Sequence, residues 1–89
     1  MRAIITVVGK DKVGILAAVS DLCAKHNTNV IEVTQSILQD MFCMIMLVDV
    51  SDCSIPFTEF AEQAKALGEE KSLSIQAMHE DIFNSMHRI

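Results

Sequence analysis

The stretch Val7-Val8-Gly9-Lys10-Asp11-Lys12-Val13-Gly14-Ile15-Leu16 decides how this chain folds. It follows a run rich in β-branched residues and opens an amphipathic segment, so it predicts a strand, a tight glycine-flanked loop and the first turn of a helix. The amides of Gly14, Ile15 and Leu16 are expected to point out of the helix start, where the helix dipole favours an anion. The alternative, that Gly9 and Gly14 only shape the turn, stays open.

Hydrophobic periodicity on either side of this junction predicts the remaining elements. In chain order they are a strand over 2–8, a helix over 15–27, a strand over 29–37, a turn at Gln39-Asp40, a strand over 41–50, a helix that begins with Pro56 in its first turn and fades around 69–71, a strand over 73–78 and a short helix over 80–89. The order βαββαβ predicts an α+β, ferredoxin-like sandwich. We expect a four-stranded antiparallel sheet with two helices on one face, a domain over 1–79 and a C-terminal helical extension over 80–89.

The third strand is apolar on both faces, so the two long helices can cover only one of them. Either Phe42, Met44, Met46 and Val48 or Cys43, Ile45 and Leu47 are left open. The tail offers a matching stripe of Ile82, Phe83, Met86 and Ile89, which is expected to pack across that face in its own subunit or in a partner's. In the second strand, Ile31, Val33 and Ile37 are expected to share one face.

Length and composition narrow the possible functions. The 89 residues suit one domain, and no apolar run is long enough to span a membrane. The N-terminus lacks a secretory pattern, which favours the cytoplasm. The net charge of −5 and the absence of Trp and Tyr argue against nucleic acid as a partner. Three widely spaced cysteines without a C-x-x-C pair predict reduced, packed thiols rather than disulfides or zinc.

Motifs for catalysis and cofactor binding are not found in the sequence. Gly9 and Gly14 are spaced as in a phosphate loop, but Ile15 and Leu16 stand where Lys and Ser or Thr are needed. Cys23 and His26 are three residues apart on one helix face, with no third group to orient them, so core packing is the better interpretation. We therefore expect no catalytic residue, no metal ligand and no cofactor.

Two polar side chains remain as candidate ligand contacts. Asp11, beside the helix start, can accept a ligand ammonium, or it can simply complement the helix dipole. Asn29 carries both donors and an acceptor, which suits the backbone of an α-amino acid, but it can equally be a loop residue tolerant of left-handed geometry.

The junction and its surroundings resemble the ACT domain, a small-molecule-sensing regulatory module. The resemblance rests on Val8-x-Gly-x-Asp11-Lys12-Val13-Gly14-Ile15-Leu16, then Val19-Ser20, Asn29-Val30 and Gln35, and it covers about residues 4–78. At Lys12 the family usually has Arg, a conservative departure in charge. The chain looks like the stand-alone, single-ACT-domain proteins of bacteria.

This resemblance implies a non-enzymatic regulator that binds a small molecule, often an amino acid, as a homodimer. The ligand-binding residues it implies are Asp11, Lys12, Val13, Gly14, Ile15, Leu16, Asn29 and Val30. The alternative is a protein-interaction module that binds no ligand and docks onto a regulator or a metabolic enzyme.

Overall fold

The computed structural model describes residues 1–10 and 13–86 of the chain. Its elements are β1 (Arg2–Lys10), α1 (Ile15–Lys25), β2 (Asn29–Leu38), β3 (Met41–Asp49), α2 (Phe57–Lys71), β4 (Ser74–His79) and α3 (Glu80–Met86). The four strands form one sheet in the order β2-β3-β1-β4, and all neighbouring strands are antiparallel. This is the ferredoxin-like arrangement that the sequence predicts.

Both long helices end where a non-glycine residue takes a left-handed conformation. Asn27 has φ 56°, and the amides of Asn27 and Thr28 bond back to the carbonyls of Ala24 and Cys23. This is the Schellman arrangement, which satisfies the last carbonyls of a helix. The predicted end of α1 at Asn27 is therefore wrong by two residues, because the helix stops at Lys25. Ser72 ends α2 in the same way, at φ 58°.

The start of α2 differs from the sequence prediction by one residue. Pro56 lies just before the helix rather than in its first turn, and its carbonyl accepts hydrogen bonds from the amides of Glu59 and Phe60. Gln39 and Asp40 form the predicted two-residue turn, in which Gln39 adopts φ 59°.

A β-bulge changes the predicted pattern of β2. The pairing with β3 shifts between Val30 and Glu32, so Ile31 has no partner residue on β3. Val30 and Val33 pack against the core, whereas Ile31 and Ile37 are exposed. The expectation that Ile31 continues the face of Val33 and Ile37 is therefore wrong, because a bulge interrupts the period of two.

The core lies between the two long helices and one face of the sheet. Its buried members include Ala3, Ile5 and Val7 from β1, Phe42, Met44, Met46 and Val48 from β3, Ile15, Val19 and Cys23 from α1, and Phe60 and Ala64 from α2. The structure thus decides which side of β3 is open. It is the side of Cys43, Ile45 and Leu47, and Ile45 is 42% exposed there.

The short helix α3 covers part of this open face. It contacts β1 and β4, and Arg2 Nε donates to Glu80 Oε1 over 3.1 Å. Ile4, which shares the face of Arg2, is only 7% exposed, whereas Val8 further along the strand is 41% exposed. Within the protomer the tail therefore shields the β1–β4 end of the face. Ile82 and Met86 remain exposed, and the predicted contact of Ile89 lies outside the described residues.

Candidate functional site

The backbone amides at the start of α1 have no side-chain cap among the described residues. Gly14 precedes the helix at φ 86°, and its carbonyl accepts the first helical hydrogen bond from the amide of Ala18 at 2.9 Å. Glycine has no side chain with which to cap the helix, and no side chain among the described residues bonds to the first-turn amides. These amides lie at the positive end of the helix dipole, so they can donate hydrogen bonds to an anion such as a carboxylate.

The backbone of Gly14 is open on the side where a side chain would lie. A Cβ built on Gly14 would meet nothing within 4 Å, so its backbone can be approached directly. Val13 is fully exposed and Leu16 partly exposed, whereas the side chain of Ile15 is buried in the core. Asp11 and Lys12, the charged residues of the predicted site, lie outside the described residues.

The other predicted contacts, Asn29 and Val30, begin β2. Asn29 is exposed and pairs in register with Asp49, while Val30 pairs with Val48 and packs against the core. Only the side chain of Asn29 is therefore available to a ligand. No hydrogen bond ties it to another side chain of the described residues.

The two groups of predicted contacts lie at opposite ends of the protomer. Asn29 is at the end of the sheet where Arg2 pairs with Asp49, whereas Gly14 follows the end where Lys10 pairs with Met41. Helix α1, which connects them, has 11 residues and is about 16 Å long. One amino acid cannot contact both groups in a single copy of the chain.

Polar groups around Asn29 include two that sequence analysis did not identify. The Ser51 hydroxyl and amide hold the pKa of the Asp49 carboxyl below its usual value, and the Ser51 amide is 2.9 Å from Asp49 Oδ1. This end of the sheet therefore keeps a carboxylate at neutral pH. The buried Thr28 hydroxyl has no hydrogen-bond partner among the described residues. No sequence motif marks either group, since both depend on neighbours that folding supplies.

Cys23 and His26 do not form the nucleophilic pair that their spacing could suggest. His26 Nε2 lies 2.7 Å from Gln63 Oε1, and the His26 ring packs edge-on against the ring of Phe60. Burial raises the pKa of the Cys23 thiol to about 11, with a smaller contribution from Cys53, so Cys23 stays protonated at neutral pH. Both residues are structural, as the core-packing interpretation predicts.

The described residues contain neither a cluster of metal-ligating side chains nor a helix that could span a membrane. Among residues 1–10 and 13–86, no group of three or more His, Cys, Asp or Glu is arranged to hold a metal ion. No helix in that part of the chain is long and apolar enough to cross a membrane.

The fold and the open helix start define a small α+β domain of the ferredoxin-like type. A family model for the ACT domain matches residues 2–78. The chain therefore belongs to the ACT domain family, and the resemblance seen in the sequence is confirmed.

Relatives of similar length support the same assignment. A UPF0237 protein of Clostridium perfringens is 47% identical over 89 residues, which cover 100% of both chains. A UPF0237 protein of Methanopyrus kandleri is 39% identical over 99% of this chain and 98% of its own.

Solved structures show the same fold in two settings. An ACT domain protein from Streptococcus pneumoniae is 38% identical, with a TM-score of 0.81 over 93% of each chain. A formyltetrahydrofolate deformylase from Pseudomonas syringae pv. tomato is 25% identical, with a TM-score of 0.78 over 88% of this chain. The match covers only 27% of the deformylase, so this fold is one part of a larger enzyme there.

Proposed function

We propose that this protein is a non-enzymatic regulatory domain that binds an amino acid at a site shared by two copies of the chain. The observation that carries the proposal is the start of α1, which no described side chain caps and where the left-handed Gly14 leaves the backbone accessible. A carboxylate bound there accepts hydrogen bonds from the first-turn amides and gains from the helix dipole. Membership of the ACT family supports a regulatory role for such a site.

The separation of the two groups of contacts supports a homodimer. The ammonium and carboxylate of an α-amino acid sit on one carbon atom, so the groups that bind them must lie close together. Two copies related by a two-fold axis across the α1–β2 edge would run their α1 helices antiparallel. Gly14 of one copy would then approach Asn29 of the other. The side-chain amide of Asn29 would donate hydrogen bonds to the polar groups of the ligand or accept hydrogen bonds from them.

The α1–β2 edge is suited to this association. β2 is an outer strand of the sheet, and most of its side chains are exposed. α1 contacts β2 and presents Leu16, Ala17 and Ala24 to the solvent. Small and apolar side chains of this kind allow two helices to approach each other closely.

A complementation experiment tests both the ligand and the shared site. A thermal-shift screen against the amino acids first selects a ligand, since a molecule that binds only the folded state raises its apparent stability. Two variants are then compared. Val13→Asp places a competing carboxylate at the helix start, and Asn29→Leu removes the polar contact of the second group. Val13→Thr is the control for the first position.

We expect each variant alone to bind on the order of tenfold more weakly, the loss expected when one charged or polar contact is removed. Refolding the two variants together should restore about a quarter of the wild-type binding capacity, because half of the dimers are mixed and each mixed dimer has one intact site. If Asn29→Leu binds normally, the site belongs to one protomer. If no amino acid shifts the melting temperature, the proposed function is wrong.

A further inference from the structure

β4 is an outer edge of the sheet, and no other strand of the described residues pairs with its free side. It lies outermost, next to β1, and every second residue of an antiparallel strand directs its backbone N–H and C=O away from its neighbour. Natural edge strands are usually protected by a charge, a proline or a bulge. β2, at the other edge, has a bulge and Glu32. β4 has no proline, Lys, Arg or acid from Ser74 to His79, and its register with β1 is regular.

A groove of about 630 Å³ runs beside this edge, between β4 and α2. On the β4 side it is lined by the apolar side chains of Ile75 and Ala77, and on the α2 side by Ala61. An extended segment placed against β4 would therefore find backbone hydrogen-bonding groups along the strand and apolar surface under the helix. Addition of a strand to an exposed sheet edge uses both features.

Three charged side chains of α2 border the groove in the order acid, base, acid. Glu62, Lys65 and Glu69 are exposed and form no ion pair with any other described residue. Their spacing places them on one side of the helix. If a second copy were added across a two-fold axis centred on this groove, Lys65 would face Lys65 of the other copy. Glu62 of each copy would face Glu69 of the other. That arrangement is repulsive, so the charges favour a different partner.

We propose that the β4–α2 groove binds an extended segment of a partner protein, which adds to the sheet as a fifth strand. The side chains on one face of the segment point toward α2, and a small apolar side chain among them enters the groove. Lys or Arg side chains on the same face, two residues before and two residues after it, reach Glu62 and Glu69, which are about 10 Å apart along the helix. The groove lies at the opposite edge of the sheet from β2, so the segment can bind whether or not the α1–β2 edge is occupied.

Peptide display on the full chain tests this proposal. The library consists of octapeptides in which every second position, on the face that points toward α2, holds Val, Ala, Lys or Glu, and the other positions hold Ser or Thr. It is selected in parallel on the wild type and on the double variant Glu62→Lys/Glu69→Lys. The control is Glu70→Lys, an exposed residue of α2 that does not line the groove.

We expect lysine-rich peptides from the wild type and glutamate-rich peptides from the double variant. A peptide selected on the wild type should bind the double variant on the order of tenfold more weakly, as expected for the loss of two exposed ion pairs. Its affinity for the Glu70→Lys variant should be nearly unchanged. The peptide should also slow amide hydrogen exchange within residues 74–78. The proposal is wrong if no peptide is enriched, if the charge reversal leaves the selected sequences unchanged, or if protection appears elsewhere. Concentration-dependent protection of 74–78 without peptide would also overturn it, because the occupant would then be a second copy.

Discussion

Replacement of Gly68 by alanine tests the close approach of α2 to the backbone of Leu73 and Ile75, at the start of β4. A Cβ at this position would lie 2.7 Å from the Leu73 carbonyl oxygen and 3.0 Å from the Ile75 amide nitrogen. Both are backbone atoms, so no side-chain rotation can relieve the clash. The contact must lengthen by about 0.7 Å to reach ordinary van der Waals distance, which moves the helix away from the strand. The hydrogen bond from the Leu73 amide to the Gly68 carbonyl, now 2.8 Å, would be strained by the same movement.

Two opposing effects set the size of the change. Alanine stabilises a helix interior by about 1 kcal/mol relative to glycine. Overpacking costs about 1–3 kcal/mol, and weakening a hydrogen bond costs about 1 kcal/mol more. We therefore expect Gly68→Ala to lower the free energy of unfolding by about 2 kcal/mol, and the melting temperature by roughly 8–16 °C for a domain of this size.

Urea denaturation, read by far-ultraviolet circular dichroism, measures this change. The matched control is Ala66→Gly, an exposed position on the same helix, which should lose only the helix propensity of about 1 kcal/mol. If Gly68→Ala is as stable as the wild type or more stable, helix propensity outweighs the clash and the close approach of α2 to β4 is not as described.

Three further changes have outcomes that the structure determines. Gly14→Ala should lower the free energy of unfolding, measured by a thermal melt, by about 1–2 kcal/mol, and Gly14→Asn should lower it less. The reason is that φ 86° is strained for alanine and better tolerated by asparagine, so equal losses would contradict a conformational cause. Because Cys23 keeps its proton when folded up to about pH 11 but loses it near pH 9.0 when unfolded, its contribution to the free energy of unfolding should fall by roughly 2–3 kcal/mol as the pH rises between these values and stay constant below pH 9.0. Cys23→Ala should remove that part of the alkaline loss in urea titrations, and an unchanged profile would assign it to other groups. Truncation after Met78 removes α3 and uncovers Ile4, so it should cost about 1.5 kcal/mol or cause aggregation. A truncated chain that light scattering shows to be free of aggregates, and that melts at the same temperature as the full chain, would contradict this role of α3.

The sequence by itself determined the order and type of the elements. Periodicities of 3.6 and 2 depend only on which residues are apolar, so α1, α2, α3 and the four strands could be predicted to within a few residues. The stretch around Gly14 also located an open helix start, because a glycine between a strand and an amphipathic segment leaves the first amides without a cap. The ends of the helices were less predictable, since Asn27 and Ser72 take left-handed conformations that the periodicity of apolar residues does not indicate.

Only the tertiary structure decided which residues and elements are neighbours in space. β3 is apolar on both of its faces, so the buried face cannot be identified until the helices pack against one of them. The bulge after Val30 likewise exists only in the pairing of β2 with β3. The β4–α2 groove likewise forms from elements that are separate in the chain. The distance between Gly14 and Asn29 is the clearest case, because the two residues are 15 positions apart in the sequence and α1 holds them at opposite ends of the protomer. Sequence patterns report local propensity, whereas the composition of a binding site depends on how rigid elements are arranged in space.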